Sequence, residues 1–208
     1  MCSSDLYIQV GQYEEAMVTL KRSAALDPAL AQTAAFTSLA LRYQGKYDEA
    51  LRFARKAVQL NSVSDTNWLE LGDCYVSLGN HQSEARKAYL QATKEAELQL
   101  SMDPTNGPGW LLLALYKVKS GSPQDARFLI ERAEALGASD MDSQLYKGRI
   151  LELIGNREEA LATLVACFRK GATDIQVAAF PDLQSLRKDR RYRQLAESKS
   201  LSDPASHS

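Results

Sequence analysis

The 208-residue chain predicts an all-α fold: a superhelical solenoid of antiparallel helix pairs closed by a C-terminal capping helix. Three observations predict it. Glycines recur at a 34-residue interval, from Gly11 to Gly45, Gly45 to Gly79 and Gly121 to Gly155, with 42 residues between Gly79 and Gly121. Small residues keep a fixed distance from them: Ala16 and Ser23, Ala50 and Ala57, Ala126 and Ala133, Ala160 and Cys167. Apolar side chains such as Trp68, Leu71 and Tyr75 fall at i, i+3 and i+7, which is one face of a helix. A period of this length means that each unit buries its apolar face only against its neighbours.

In chain order the pattern gives a partial unit over 7–30 with a helix over 13–26, then units over 31–64, 65–106, 107–140 and 141–174. The spacing predicts helices at about 31–43, 47–60, 66–78, 82–101, 109–119, 123–136, 141–154 and 157–169. Gly45, Gly79, Gly121 and Gly155 stand where the first helix of each unit ends and a left-handed residue is favoured. Asp27-Pro28 and Asp103-Pro104 close second helices, because the residue before proline is driven out of the helical region. The unit over 65–106 carries eight extra residues. One lies in its turn and seven lengthen its second helix through Ala96, Leu98 and Leu100. Seven residues are close to two helical turns, so the apolar face stays in phase, and the extension is expected to protrude as an elongated helix.

The unit 65–106 has Trp68, Leu71, Gly72, Tyr75 and Gly79, then Ala85, Tyr89 and Ala92. The following unit keeps Trp110, Leu113, Ala114, Gly121, Ala126 and Ala133. With this punctuation over roughly residues 7–174, the chain resembles the tetratricopeptide repeat (TPR) family of helix-turn-helix units. Small residues at the eighth and twentieth positions let the two helices of a unit cross closely.

Beyond 174 the pattern changes. Phe180, Leu183, Leu186, Tyr192 and Leu195 form a looser apolar series, taken as a cap over 175–198 that covers the last unit; 199–208 reads as a flexible tail. The segment ending in Asp189-Arg190-Arg191-Tyr192 resembles the closing segment of TPR arrays at the C-termini of bacterial multidomain regulators, including serine/threonine kinases and winged-helix regulators. Those often end in an Asp-Pro-Arg-Phe-like turn, where Arg190 here takes the place of proline. At the other end, Met1-Cys2-Ser3-Ser4-Asp5-Leu6 falls outside the repeat frame and looks like the translation of a sequencing adapter. Residues 1–6 are therefore expected to be a non-native leader, and the rest a C-terminal fragment of a longer metagenomic reading frame.

Composition carries the exclusions. With 25 Lys+Arg against 26 Asp+Glu, the net charge of -1 argues against a nucleic-acid partner. No apolar run approaches the roughly 18 residues of a membrane span. Two histidines and three cysteines leave little for a metal site, and no Cys-x-x-Cys, phosphate loop or nucleophile elbow occurs. Cys74 and Cys167 read as small buried thiols, and His81 and His207 as solvated. Arg187, Lys188, Arg190, Arg191 and Arg193 form one basic run, read as a solvated face of the cap with Asp182, Asp189 and Glu197 nearby. An anionic partner is the competing reading of that run. No enzyme, cofactor or metal is expected; the low cysteine count favours a cytoplasmic setting without establishing one.

What remains is binding. The first helices of a solenoid line a concave surface, and exposed repeat positions give a candidate strip: Phe36, Leu39 and Tyr43; Leu69, Glu70, Asp73 and Ser77; Leu111, Leu112, Leu115 and Lys119; Leu145, Tyr146 and Arg149. TPR domains that clamp a C-terminal carboxylate use Lys and Asn at positions five and nine. Here those positions hold Ala35/Leu39, Leu69/Asp73, Leu111/Leu115 and Leu145/Arg149, so that clamp does not carry over. The leucine-rich strip points to a protein or peptide partner offering an apolar or amphipathic segment, with the leucines packing between units as the competing reading for Leu112 and Leu115. The chain is thus expected to be a non-enzymatic interaction scaffold. Two alternatives are a regulatory C-terminal arm of a truncated bacterial kinase or transcription regulator, and self-association through helix 82–101.

Overall fold

The computed structural model describes residues 7–8, 11–178 and 180–200, without the side chains of 175, 195 and 197–200. The adapter-like leader, Leu195, Glu197 and the tail with His207 lie outside what it describes. Among the described residues the chain is built from helices and turns. A first helix, α1 (Tyr13–Leu26), is followed by four helix pairs: α2 (Ala31–Tyr43) with α3 (Tyr47–Leu60), α4 (Asp65–Leu78) with α5 (Gln82–Met102), α6 (Gly107–Lys119) with α7 (Ala126–Ala135), and α8 (Met141–Leu153) with α9 (Arg157–Arg169). The C-terminal segment adds a short helix α10 (Asp174–Ala178), a 3-10 turn (Pro181–Leu183), α11 (Gln184–Arg187) and α12 (Arg190–Ser200). This is the expected all-α solenoid.

Local chemistry accounts for the boundaries. Ser64, Asn106 and Asp140 each accept a bond from a backbone N–H in the first turn that follows, capping α4, α6 and α8. Asn106, with Pro108 in that turn, starts α6 at Gly107, two residues earlier than the apolar pattern suggested. Conversely, α7 begins at Ala126 rather than 123, because Ala126 N–H bonds to the Pro123 carbonyl in a tighter turn. The glycines that end the first helices carry positive φ, 75° at Gly45 and 82° at Gly155, where a Cβ would be strained.

Close crossing within a pair is clearest at Gly72: a Cβ there would stand 2.3 Å from Cε1 of Tyr89. The absence of that atom lets the Tyr89 ring of α5 lie against α4. Ala50, Ala85, Ala126 and Ala160 are all buried at the matching positions of the second helices. The extension of α5 does not stand clear of the array. Ala96 and Leu100 are buried in the main core, leaving Leu98 and Met102 exposed on the outer side. Keeping the helical phase across two added turns is what seats them there.

The core runs along the solenoid. Its largest part joins Leu111, Leu115 and Tyr116 of α6 to Ile150, Leu164 and Phe168, and continues into Val177, Leu183, Leu186 and Tyr192 of the cap. At the turn into α12, Asp189 accepts the Arg191 backbone N–H at 2.9 Å. Tyr192 then packs edge-on against Phe168 and donates its hydroxyl to Asp174. Two residues of the basic run are ion-paired: Arg187 with Asp174, and Arg191 with Asp189 and Glu158.

Candidate functional site

The concave side divides into two halves. The N-terminal half, α2 and α4, faces α8 across an open cavity of about 560 Å³. Phe36, Leu39 and Tyr43 come from α2, Leu69, Glu70 and Asp73 from α4, and Leu145, Tyr146 and Arg149 from α8, all of them residues of the expected strip. Phe180 of the cap closes one edge. Beneath the apolar lining, Arg42 forks onto Glu70 with Nε–Oε1 at 3.2 Å and Nη2–Oε2 at 3.0 Å. Ser38 donates to the same carboxylate at 2.9 Å. The cavity therefore has a buried, paired polar floor and an apolar wall.

In the C-terminal half the groove is filled by the chain itself. The 3-10 turn carries Asp182 onto α6 and α8, where Lys119 Nζ meets Oδ1 at 2.5 Å. Arg149 meets Oδ2 through Nη2 at 2.6 Å and Nε at 2.9 Å. Asp73 of α4 faces the same cations, 3.0 Å from Lys119 and 3.5 Å from Arg149, and accepts the Tyr89 hydroxyl at 2.8 Å. The Arg149 guanidinium lies 4.3 Å from the Phe180 ring centroid and 5.7 Å from that of Tyr146. All four charged side chains are at most 6% exposed. Two cations and two carboxylates balance, which is what makes so dry a cluster tolerable.

The environment sets the protonation. Burial alone would raise the Asp182 carboxyl, but Arg149 and then Lys119 outweigh it and hold it well below the usual carboxylate range. Burial pushes the Tyr89 hydroxyl upward, and the Asp73 carboxylate adds to this. The Cys74 thiol is pushed up by burial and by Glu70, so it stays protonated and unreactive. Cys167 is buried and raised likewise, as expected for both. Among the described residues, no group of three or more His, Cys, Asp or Glu could hold a metal ion, and no helix is long and apolar enough to cross a membrane.

Five residues of the expected strip do not line the open cavity. Leu111 and Leu115 are 1% and 0% exposed and belong to the main core, while Leu112 is half-buried against it. Ser77 turns back to donate to the Asp73 carbonyl. Lys119 is sealed in the ion cluster. Repeat position alone placed these side chains on the concave side, but in the third full unit α6 packs against α8 and its Lys119 meets Asp182 of the cap. Sequence reasoning also missed Arg42 and Asp182. Asp182 was read as a solvated neighbour of the basic run, whereas its side chain is 6% exposed. The signal for Arg42 was a lone arginine in an apolar helix; for Asp182 it was an acid after Phe180-Pro181 opposite two strip cations.

Comparisons with known sequences find the same repeats. A family model described as tetratricopeptide repeat matches residues 37–98 and 111–172, and a second such model matches 3–30. A thermophilic TPR protein from Thermus thermophilus superposes with a TM-score of 0.59 at 17% identity, covering 86% of this chain and 95% of that one. YrrB, described as a TPR protein with an unusual peptide-binding site, is 22% identical with a TM-score of 0.41, over 90% of this chain and 93% of that one. MamA is 18% identical with a TM-score of 0.42, over 82% and 95%. A search of curated proteins returns no significant match. With the repeat models spanning more than half of its length, the chain belongs to the tetratricopeptide repeat family.

Proposed function

We propose that the chain is a non-enzymatic scaffold that seats an apolar or amphipathic segment of a partner protein in the N-terminal half of its concave surface. The observation that carries this reading is the open cavity whose wall is Phe36, Leu39, Tyr43, Leu69, Leu145 and Tyr146. Phe36, Leu39, Tyr43 and Tyr146 are half-buried over the buried Leu69 and Leu145, and covering such partly accessible side chains supplies binding energy. The paired floor of Arg42 and Glu70 leaves no strong charge to be met, so shape and apolar contact set the selectivity. Helix-in-groove recognition of an amphipathic segment uses this combination.

Selection from a displayed library of random dodecamer peptides supplies a probe. Peptides recovered on the wild-type chain are expected to be amphipathic and to lose at least about tenfold in affinity, roughly 1.4 kcal/mol, on Leu39→Glu and on Phe36→Ala. Circular dichroism should stay unchanged in both. Selected peptides that bind both folded variants as well as wild type would sink the reading.

A further inference from the structure

We propose that the Phe180–Asp182 turn is a cis-acting stand-in for a partner's acidic segment. On this view Lys119 and Arg149 form a carboxylate subsite, which a peptide carrying an aromatic residue two positions before an acid takes over from Asp182. The inference rests on reading the concave surface as the partner site and names the chemistry of its C-terminal half.

The resident turn has the contacts of a bound ligand. Asp182 places one oxygen on Lys119 and the other in the Arg149 fork, while Phe180 lies over the same guanidinium. These are two coupled contacts from one short segment, an aromatic face and a carboxylate. The anchors of the cap lie on either side of the turn: Val177 before it, and Leu183, Leu186 and Tyr192 after it, all at most 2% exposed. Phe180 and Pro181 are only half-buried. The turn can therefore lift as a local opening while the anchors stay in the core. With Asp182 withdrawn, two buried cations face Asp73 alone, and this net positive charge in a dry site calls for an anion. Phe180 and Arg149 also line the open cavity, so a segment lying in that cavity abuts the turn it would replace. Competition with the turn makes binding weaker by the fraction of time the subsite is open.

The test uses the full chain and a fluorescein-labelled peptide reproducing residues 178–187, with a second peptide in which the acid is replaced by asparagine. Asp182→Ala is expected to bind the acidic peptide at least about tenfold more tightly than wild type, because the cost of opening is removed, and to bind the asparagine peptide no better than wild type does. Phe180→Ala should give an intermediate gain. An Asp182→Ala chain that keeps its circular dichroism yet binds neither peptide, or both equally, overturns the proposal. Should that variant lose helicity, Asp182→Asn and Phe180→Ala decide by the same readings, and wild-type affinity in both overturns it. A dimer of the variant that excludes the peptide would put a second copy in the groove and also overturn it. The probe reaches only the C-terminal half, so its failure leaves the Leu39 and Phe36 results standing and is told apart from theirs.

Discussion

Leu39 and Leu115 occupy the ninth position of their respective units and meet opposite fates. Leu39 lines the open cavity; Leu115 is wholly buried in the core that continues into the cap. The two halves of the concave surface share one repeat grammar and one leucine-rich lining. What separates them is the material laid over the second: the curl of α6 and α8 and the Phe180–Asp182 turn. A position in a repeat fixes which way a side chain points, whereas its exposure depends on what the rest of the chain does with that side.

The largest effect that could break this comparison is a charge placed at each leucine. Leu115→Glu puts a carboxylate into the dry core and should cost more than about 4 kcal/mol, read as collapse of the helical signal or a large fall in Tm. Leu39→Glu, at a half-buried side chain against the N-terminal core, should cost only about 1–2 kcal/mol. Equal losses would mean the two halves are alike.

Next in size is the polar floor. Arg42→Met leaves Glu70 buried without its cation and should cost about 3–5 kcal/mol by chemical denaturation. Adding Glu70→Leu should restore most of it, since a well-packed apolar pair often matches a buried ion pair. A double variant as unstable as the single one would show that the floor contributes more than charge neutralisation.

The smallest effect concerns pH. Asp182 is held below its ordinary value by Arg149 and Lys119, and Asp174 below its own by Arg187 and Tyr192. Groups depressed in the folded state contribute stability that is fully present above the unfolded value, near 3.9 for an Asp, and lost as pH falls through the folded one. Amide exchange over 180–186, corrected for intrinsic rates, should hold constant from about pH 8 to 5 and rise only below about 4. Loosening of the cap near neutral pH would remove the ion cluster from the account.

Much of this was legible in the residues. The glycine interval, the small residues at the crossings and the Asp-Pro stops placed every helix of the array within a few residues. The cavity wall of Phe36, Leu39, Tyr43, Leu69, Leu145 and Tyr146 followed from face periodicity, which is a local property. The ion cluster did not follow, because Asp182 meets Arg149 from 33 residues away and Lys119 from 63. Neither distance is a multiple of the repeat. Strip positions such as Leu111 carry no mark of what covers them. The α5 extension, read as a protrusion, shows the same limit: its phase was legible, but the surface receiving Ala96 and Leu100 was not.

The cap seals the C-terminal half of the groove while the other half stays open. Lys119 reports on it directly, since its side chain is 4% exposed while Lys46 is exposed. Amine acylation of the full chain, followed residue by residue by mass spectrometry, should modify Lys119 at least about tenfold more slowly than Lys46, as expected for a group reached only through local opening. Asp182→Asn should bring Lys119 towards the rate of Lys46. Equal rates for the two lysines in the wild-type chain would contradict the seal.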